Sequence, residues 1–202
     1  IIFILTSGCN PQKAGSELPM EKIIEQSMEI ADQQASAMAE QLMEKDSLLP
    51  RTIDKETGEL ITSDSRWWTS GFFPGTLWYL YEYTGDEQLK KYAEEYTARI
   101  EREKHTTNNH DVGFMLYCSF GNGLRITGNK PYEDVLVKGS KSLSTRYNPE
   151  VGLIRSWDFN ADKWQYPVII DNMMNLELLM WASQHTGDTT FRNIAVSHAD
   201  KT

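Results

Sequence analysis

Two aspartates stand where a helix is about to begin. In NNHDVGFM, residues 108–115, His110 and Asp111 directly precede an apolar run, and in YPVIIDNMMNLELLMW Asp171 does the same. Two carboxylates at the same end of neighbouring helices can share a pocket, which is the minimum equipment for acid/base work on a glycoside. Aspartate is also a favoured helix N-cap, so the position alone is satisfied by capping. The surroundings argue for chemistry. Asp171 follows Val168, Ile169 and Ile170 and is separated from Met173 and Met174 only by Asn172, while Asp111 lies between His110 and Val112. Carboxylates in apolar company resist ionisation, and two in one pocket resist it further, whereas a helix N-terminus favours the anion. One of the pair is therefore expected to hold a proton near neutral pH; the residues alone leave open which.

Aromatic residues gather in the neighbouring loops. Trp67 and Trp68 stand beside Arg66 in SRWWTSGFFPG, and Trp157, Phe159, Trp164 and Tyr166 fill the long stretch before Asp171. Beside Gly, Pro, Ser and Asn, such rings are expected at a surface that stacks on sugar faces rather than in a core. Arg66 and Arg155 are the nearest cations for an acidic ligand. The four histidines show no paired ligand spacing and no cysteine lies near them, so no metal is expected. Neither a phosphate-cradling loop nor a dinucleotide fingerprint after a strand is present, and no organic cofactor is expected.

The elements that must position these groups are mostly helical. Apolar residues recur at helical spacing from Ile24 through Met28, Ala31, Ala35, Met38 and Leu42, which predicts one long helix from Met20 to about Lys45, followed by a turn-rich connection with a short hairpin at ETGEL. A tripeptide then repeats, as Thr84-Gly85-Asp86, Thr127-Gly128-Asn129 and Thr186-Gly187-Asp188, at spacings of 43 and 59 residues. Each copy lies between two helical apolar stretches. Glycine suits the left-handed position past a helix end and Asp or Asn caps the next helix, so each unit reads as a helical hairpin. Short strands are expected in GLIRSWDF and YPVII. The long connections, roughly 103–110 and 147–170, fall between hairpins and carry His, Trp, Tyr and Asp, which puts a site at one end of a row of hairpins. Asp111 and Asp171 then begin neighbouring first helices.

Composition sets the outer bounds. With 202 residues, 40% hydrophobic and 24% charged, the chain can bury one sizeable core. A net charge of −9 argues against nucleic acid or an anionic membrane surface as partner. Cys118, in FMLYCSF, reads as a buried free thiol. Cys9 follows IIFILTSG, which looks like the tail of a bacterial secretion signal with a lipoprotein-type cysteine. Residues 1–19 are accordingly read as signal remnant, acylation site and spacer, and the expected location is secreted or periplasmic, with a lipid anchor at Cys9 as the only link to a membrane.

Four stretches in this order, RWWTSGFFPGTLWYLYEYTGD, NNHDVGFMLYCSFGNGLRITG, GLIRSWD and YPVIIDNMMNLELLMWASQHTGD, resemble the unsaturated glucuronyl hydrolases, glycoside hydrolase family 88, from about residue 20 to the end. The resemblance implies an all-α fold, an (α/α)6 barrel of helical hairpins, with no metal and no organic cofactor. It implies as substrate an oligosaccharide left by a polysaccharide lyase, glycosaminoglycan-type, with a 4,5-unsaturated uronic acid at its non-reducing end. By the same resemblance Asp171 donates the proton to the vinyl ether and activates water, Asp111 is the second catalytic carboxylate, ionised beside it, and His110, Trp68 and Trp157 contact the substrate. Two other readings stand beside this one: an unsaturated rhamnogalacturonyl hydrolase acting on pectin fragments, and a non-catalytic sugar-binding module built on the helical repeat. Members of the family are about twice as long. Residues 20–202 are thus expected to form the N-terminal part of the domain, an incomplete toroid of about seven helices that exposes apolar inner-helix surface and has little activity alone.

Overall fold

The structure, a computed structural model, describes residues 18–202; Cys9 and the apolar run before it lie outside them. Helix α1, Met20–Leu42, buries Ala35, Ala39 and Leu42 along one stripe. Its end is closed from a distance, because the Arg99 guanidinium donates to the carbonyls of Leu42, Met43, Lys45 and Leu48. A cation there satisfies the orphan carbonyls of the last turn and opposes the helix dipole. The expected hairpin follows as β1, Leu49–Ile53, antiparallel to β2, Leu60–Ser63.

Three helical hairpins come next. The first pairs α2, Phe72–Thr84, with α3, Glu87–Ala98. The second begins with a column made of α4, Val112–Leu116, a π-helical turn over Tyr117–Gly121, and α5, Asn122–Thr127, and returns through α6, Pro131–Ser144. The third is α7, Asn172–Thr186, with α8, Thr189–Lys201. The Thr-Gly-Asp/Asn repeat makes the same turn each time. Gly85, Gly128 and Gly187 close the first helices with φ of 73°, 69° and 76°, the left-handed region that favours glycine. In each copy the threonine hydroxyl donates to the carbonyl four residues back and accepts the N–H two residues on. Asp86 and Asp188 then cap α3 and α8 by accepting from Gln88 and Thr190. Asn129 does not cap its helix, contrary to the repeat reading: Pro131 stands at the start of α6, and Lys130 occupies the cap position without a capping bond from its side chain.

The first helices pack on one another, α2 against the α4–α5 column and α4 against α7, around buried Leu77, Trp78, Leu116, Phe120, Leu178 and Leu179. Burying a side chain such as Leu116 or Leu178 contributes roughly 2 kcal/mol, so this packing, more than local propensity, fixes the row of hairpins. The loops preceding α2, α4 and α7 consequently meet at one end and the Thr-Gly turns at the other. The strands expected in the last long loop are mostly absent. Only β3, Tyr147–Asn148, pairs with β4, Leu153–Ile154. YPVII forms no strand, since Pro167 has no N–H to contribute to a ladder and its carbonyl is instead taken by the Ser156 N–H. Among the described residues no helix is long and apolar enough to cross a membrane.

Candidate active site

Asp111 and Asp171 occupy the cap positions of α4 and α7, with φ/ψ of −64/−14° and −67/−14°, yet neither side chain caps its helix. The contrast with Asp86 and Asp188 is direct: those aspartates are extended at the backbone and bond the next turn. Asp111 and Asp171 are helical at the backbone, and their carboxylates turn towards His110.

His110 is buried, 3% exposed, and its hydrogen bonds fix its role. Nδ1 lies 2.8 Å from the Ser156 carbonyl oxygen, which can only accept, so Nδ1 carries a proton. Nε2 lies 3.0 Å from Asp171 Oδ1 and 3.3 Å from Asp111 Oδ1. A bare lone pair at Nε2 would face two carboxylate oxygens. A hydrogen bond at either contact therefore needs a proton between Nε2 and a carboxylate oxygen, and the three groups are close enough to exchange one. Burial pushes the Asp111 carboxyl above its ordinary value; the Asp171 charge adds to this, while His110 and Arg146 pull the other way. Burial thus works against the ionised form expected of Asp111, and the charges of His110 and Arg146 favour it. Its side chain is 16% exposed against 36% for Asp171, a depth that local sequence does not reveal.

Two loops carry this cluster and are stitched together. Asn109 bridges to Trp157 as an isolated antiparallel pair, and the Ser156 carbonyl also accepts the His110 N–H. Ser156, fully buried, accepts at its hydroxyl from the Ile169 N–H and from Asn172 Nδ2. One serine thus joins the imidazole, the segment before Asp171 and the first turn of α7. Arg146 is the second clasp: 7% exposed, it donates to the carbonyls of Thr107 and Arg155 and to both oxygens of Asp158. Neither residue stood out in the sequence, because a serine in a loop and an arginine after a helix carry no periodic signal; their roles exist only once the loops cross.

The three groups form the floor of a cavity of about 630 Å³, ample for a sugar unit with part of the next. Trp67, Trp68, Trp157 and Phe159 wall it. Trp68, 45% exposed, sets its edge against Phe72 and Phe114, and Trp157 stacks on Phe159 at 5.1 Å. Trp67 lines the same cavity with the Arg51 guanidinium 3.7 Å over its ring. Of the aromatic residues singled out in the sequence, Trp164 and Tyr166 do not line it: Trp164 meets Trp157 edge-on at 6.5 Å, and the Tyr166 hydroxyl lies within hydrogen-bonding distance of the carbonyls of Arg146 and Leu153. Arg66 lines the cavity and is paired with Asp64, whereas Arg155 does not line it and lies 3.3 Å from Asp158. The ligand atoms of His110, Asp111 and Asp171 fall within 4.8 Å of one another, a spacing that would also admit a cation. Cys118 is a free, partly buried thiol that burial pushes up to about 11, so it stays protonated at neutral pH.

No protein-family model matches the chain. Over 157 residues, 77% of this chain and 38% of the other, it is 54% identical to an unsaturated glucuronyl hydrolase of Formosa agariphila. An unsaturated chondroitin disaccharide hydrolase of Streptococcus agalactiae is 34% identical over 139 residues, 67% of this chain and 35% of the other. Among solved structures, an unsaturated glucuronyl hydrolase specific for heparin superposes with a TM-score of 0.83 at 40% identity, covering 90% of this chain and 47% of that one. The chain spans less than half the length of these relatives. The fold is that of an (α/α) barrel protein. Over the residues it spans, the chain belongs to the unsaturated glucuronyl hydrolases, glycoside hydrolase family 88.

Proposed function

We propose that the site hydrates the 4,5-double bond of an unsaturated uronic acid at the non-reducing end of a lyase-generated, glycosaminoglycan-type oligosaccharide. The observation that carries this reading is the pair of carboxylates, Asp171 at 3.0 Å and Asp111 at 3.3 Å from His110 Nε2, lining one aromatic-walled cavity. Relatives named for chondroitin disaccharides and for heparin support the substrate class.

Asp171, the more open of the two carboxyls, delivers the proton to C4 of the vinyl ether, leaving an oxocarbenium between C5 and the ring oxygen. Having given up its proton, Asp171 takes one from a water as that water adds at C5. The hemiketal opens to a C5 ketone, and the hemiacetal left at C1 expels the rest of the oligosaccharide. One water is consumed, and no covalent enzyme intermediate forms. Asp111 and His110 hold the proton inventory constant, while Trp68 and Trp157 sandwich the ring. At the other end of the chain, the run IIFILTSG before Cys9 supports acylation of that thiol and a place in a bacterial envelope. Radiolabelled palmitate retained on the expressed protein, and lost in Cys9→Ala, is the expected result.

The catalytic reading is tested with an unsaturated chondroitin disaccharide, following loss of the ultraviolet absorbance of its conjugated ring. Only weak turnover is expected of the chain alone, with deuterium appearing at C4 in heavy water, and Asp171→Asn should lower it about 100-fold or more while a disaccharide-induced change in tryptophan fluorescence persists. A fluorescence change without turnover in the unaltered chain would instead mark a sugar-binding module.

A further inference from the structure

The geometry points to Asn175 as the positioning residue that frees Asp111 from capping its own helix. With Asp111 at the cap position, Phe114 is the third residue of α4, and its N–H is the donor that a capping aspartate ordinarily takes. Here that N–H donates to Asn175 Oδ1, 2.8 Å away, on the neighbouring helix α7. Asn175 is fully buried, and its Nδ2 faces the main-chain carbonyl of Asp171 at 3.5 Å. One amide side chain therefore supplies the cap that Asp111 withholds and touches the start of the helix that carries the second carboxylate.

The close approach this requires is built into the sequence. A Cβ on Gly113 would stand 2.5 Å from Asn175 Oδ1 and 2.6 Å from its Cβ, so only glycine lets α4 and α7 meet here. Without an acceptor at residue 175, a buried N–H at Phe114 would be left unpaired, at a cost of about 1–3 kcal/mol. The Asp111 carboxylate, three residues back, would take that bond by passing to the extended backbone that Asp86 and Asp188 adopt as caps, leaving His110. In the native arrangement it stays beside His110, with Asp171 and Arg146 as the other charges that act on it. Asn175 thus acts through Asp111 and need not touch a substrate.

The experiment replaces Asn175 in the full chain and reads Asp111 directly. The carboxyl of Asp111 is titrated by carbon-13 NMR in the parent, in Asn175→Leu, which keeps the volume and removes the acceptor, and in Asn175→Asp, which keeps an oxygen there. Asn175→Ala serves in place of the leucine variant should that one not fold, as judged by circular dichroism. In the folded variant lacking the acceptor, the Asp111 pKa is expected to fall by at least about one unit, a tenfold change in ionisation, as the carboxylate bonds an N–H at a helix N-terminus. In Asn175→Asp it should remain at or above the parent value. An Asp111 titration unchanged in the folded leucine or alanine variant overturns the proposal. Because the readout is a titration, it is independent of turnover, so an absence of hydrolase activity would count against the proposed reaction and leave this test intact.

Discussion

At the residue scale, the cluster's central property is that Asp111 is kept in the site at an energetic cost. Burial raises its pKa, so the folded state binds the proton more tightly than the unfolded chain does. The sign follows from linkage. The contribution of Asp111 to stability is fully present below its unfolded value and is lost as pH rises through the folded one. Asp111→Asn removes that penalty. Its urea midpoint should exceed the parent's at neutral pH, and the difference should shrink to nothing on acidification through the carboxylate range. Turnover should fall in the same variant, the usual exchange of stability for activity at a strained site. A midpoint below the parent's at neutral pH would mean that the attraction of His110 and Arg146 outweighs burial.

At the element scale, the site is a junction of two loops and two helix starts, and Ser156 is where they meet. Its hydroxyl accepts from the Ile169 N–H and from Asn172 Nδ2, which also donates to the Ile154 carbonyl. Ser156→Ala removes the acceptor of the Ile169 N–H and one of the two held by Asn172 Nδ2, and should cost roughly 1–3 kcal/mol in urea unfolding. His110, however, is held by the main-chain carbonyl of residue 156, which the substitution keeps. Turnover of the folded variant should therefore fall less than about tenfold, and a larger loss would show that the hydroxyl also orients the imidazole. This division also explains what the sequence made legible. Asp111, Asp171 and His110 could be found because apolar periodicity marks where a helix starts, and the Thr-Gly repeat marks which helices are equivalent. Ser156, Arg146 and Asn175 could not, since each acts through hydrogen bonds to residues distant in the chain and belongs to no local pattern. The π-helical turn at Tyr117–Gly121 was hidden for a similar reason: it continues a helical pattern with one residue extra per turn.

At the scale of the whole molecule, the row of first helices has a face that the described residues leave open. Tyr79 and Tyr83 of α2 are 55% and 54% exposed, and Met174 of α7 is 56% exposed. Tyr79 shares with Tyr117, Leu124 and Trp181 a second cavity of about 420 Å³ that runs across α2, the α4–α5 column and α7. Aromatic surface on three adjacent helices is more than isolated apolar residues at a surface, and such patches drive association. Opposing it is a net charge of −9, which makes two copies repel at low ionic strength. The two effects respond differently to salt. Screening shortens the reach of the repulsion from about 30 Å at 0.01 M to about 8 Å at 0.15 M and leaves the apolar attraction nearly untouched. Sedimentation velocity on the 202-residue chain should accordingly show monomer at low salt and concentration-dependent association as salt is raised. Tyr79→Glu combined with Tyr83→Glu, two charges one turn apart on the open face of α2, should suppress the association without altering the disaccharide fluorescence response. Association that weakens with salt would instead assign it to ion pairs elsewhere on the surface.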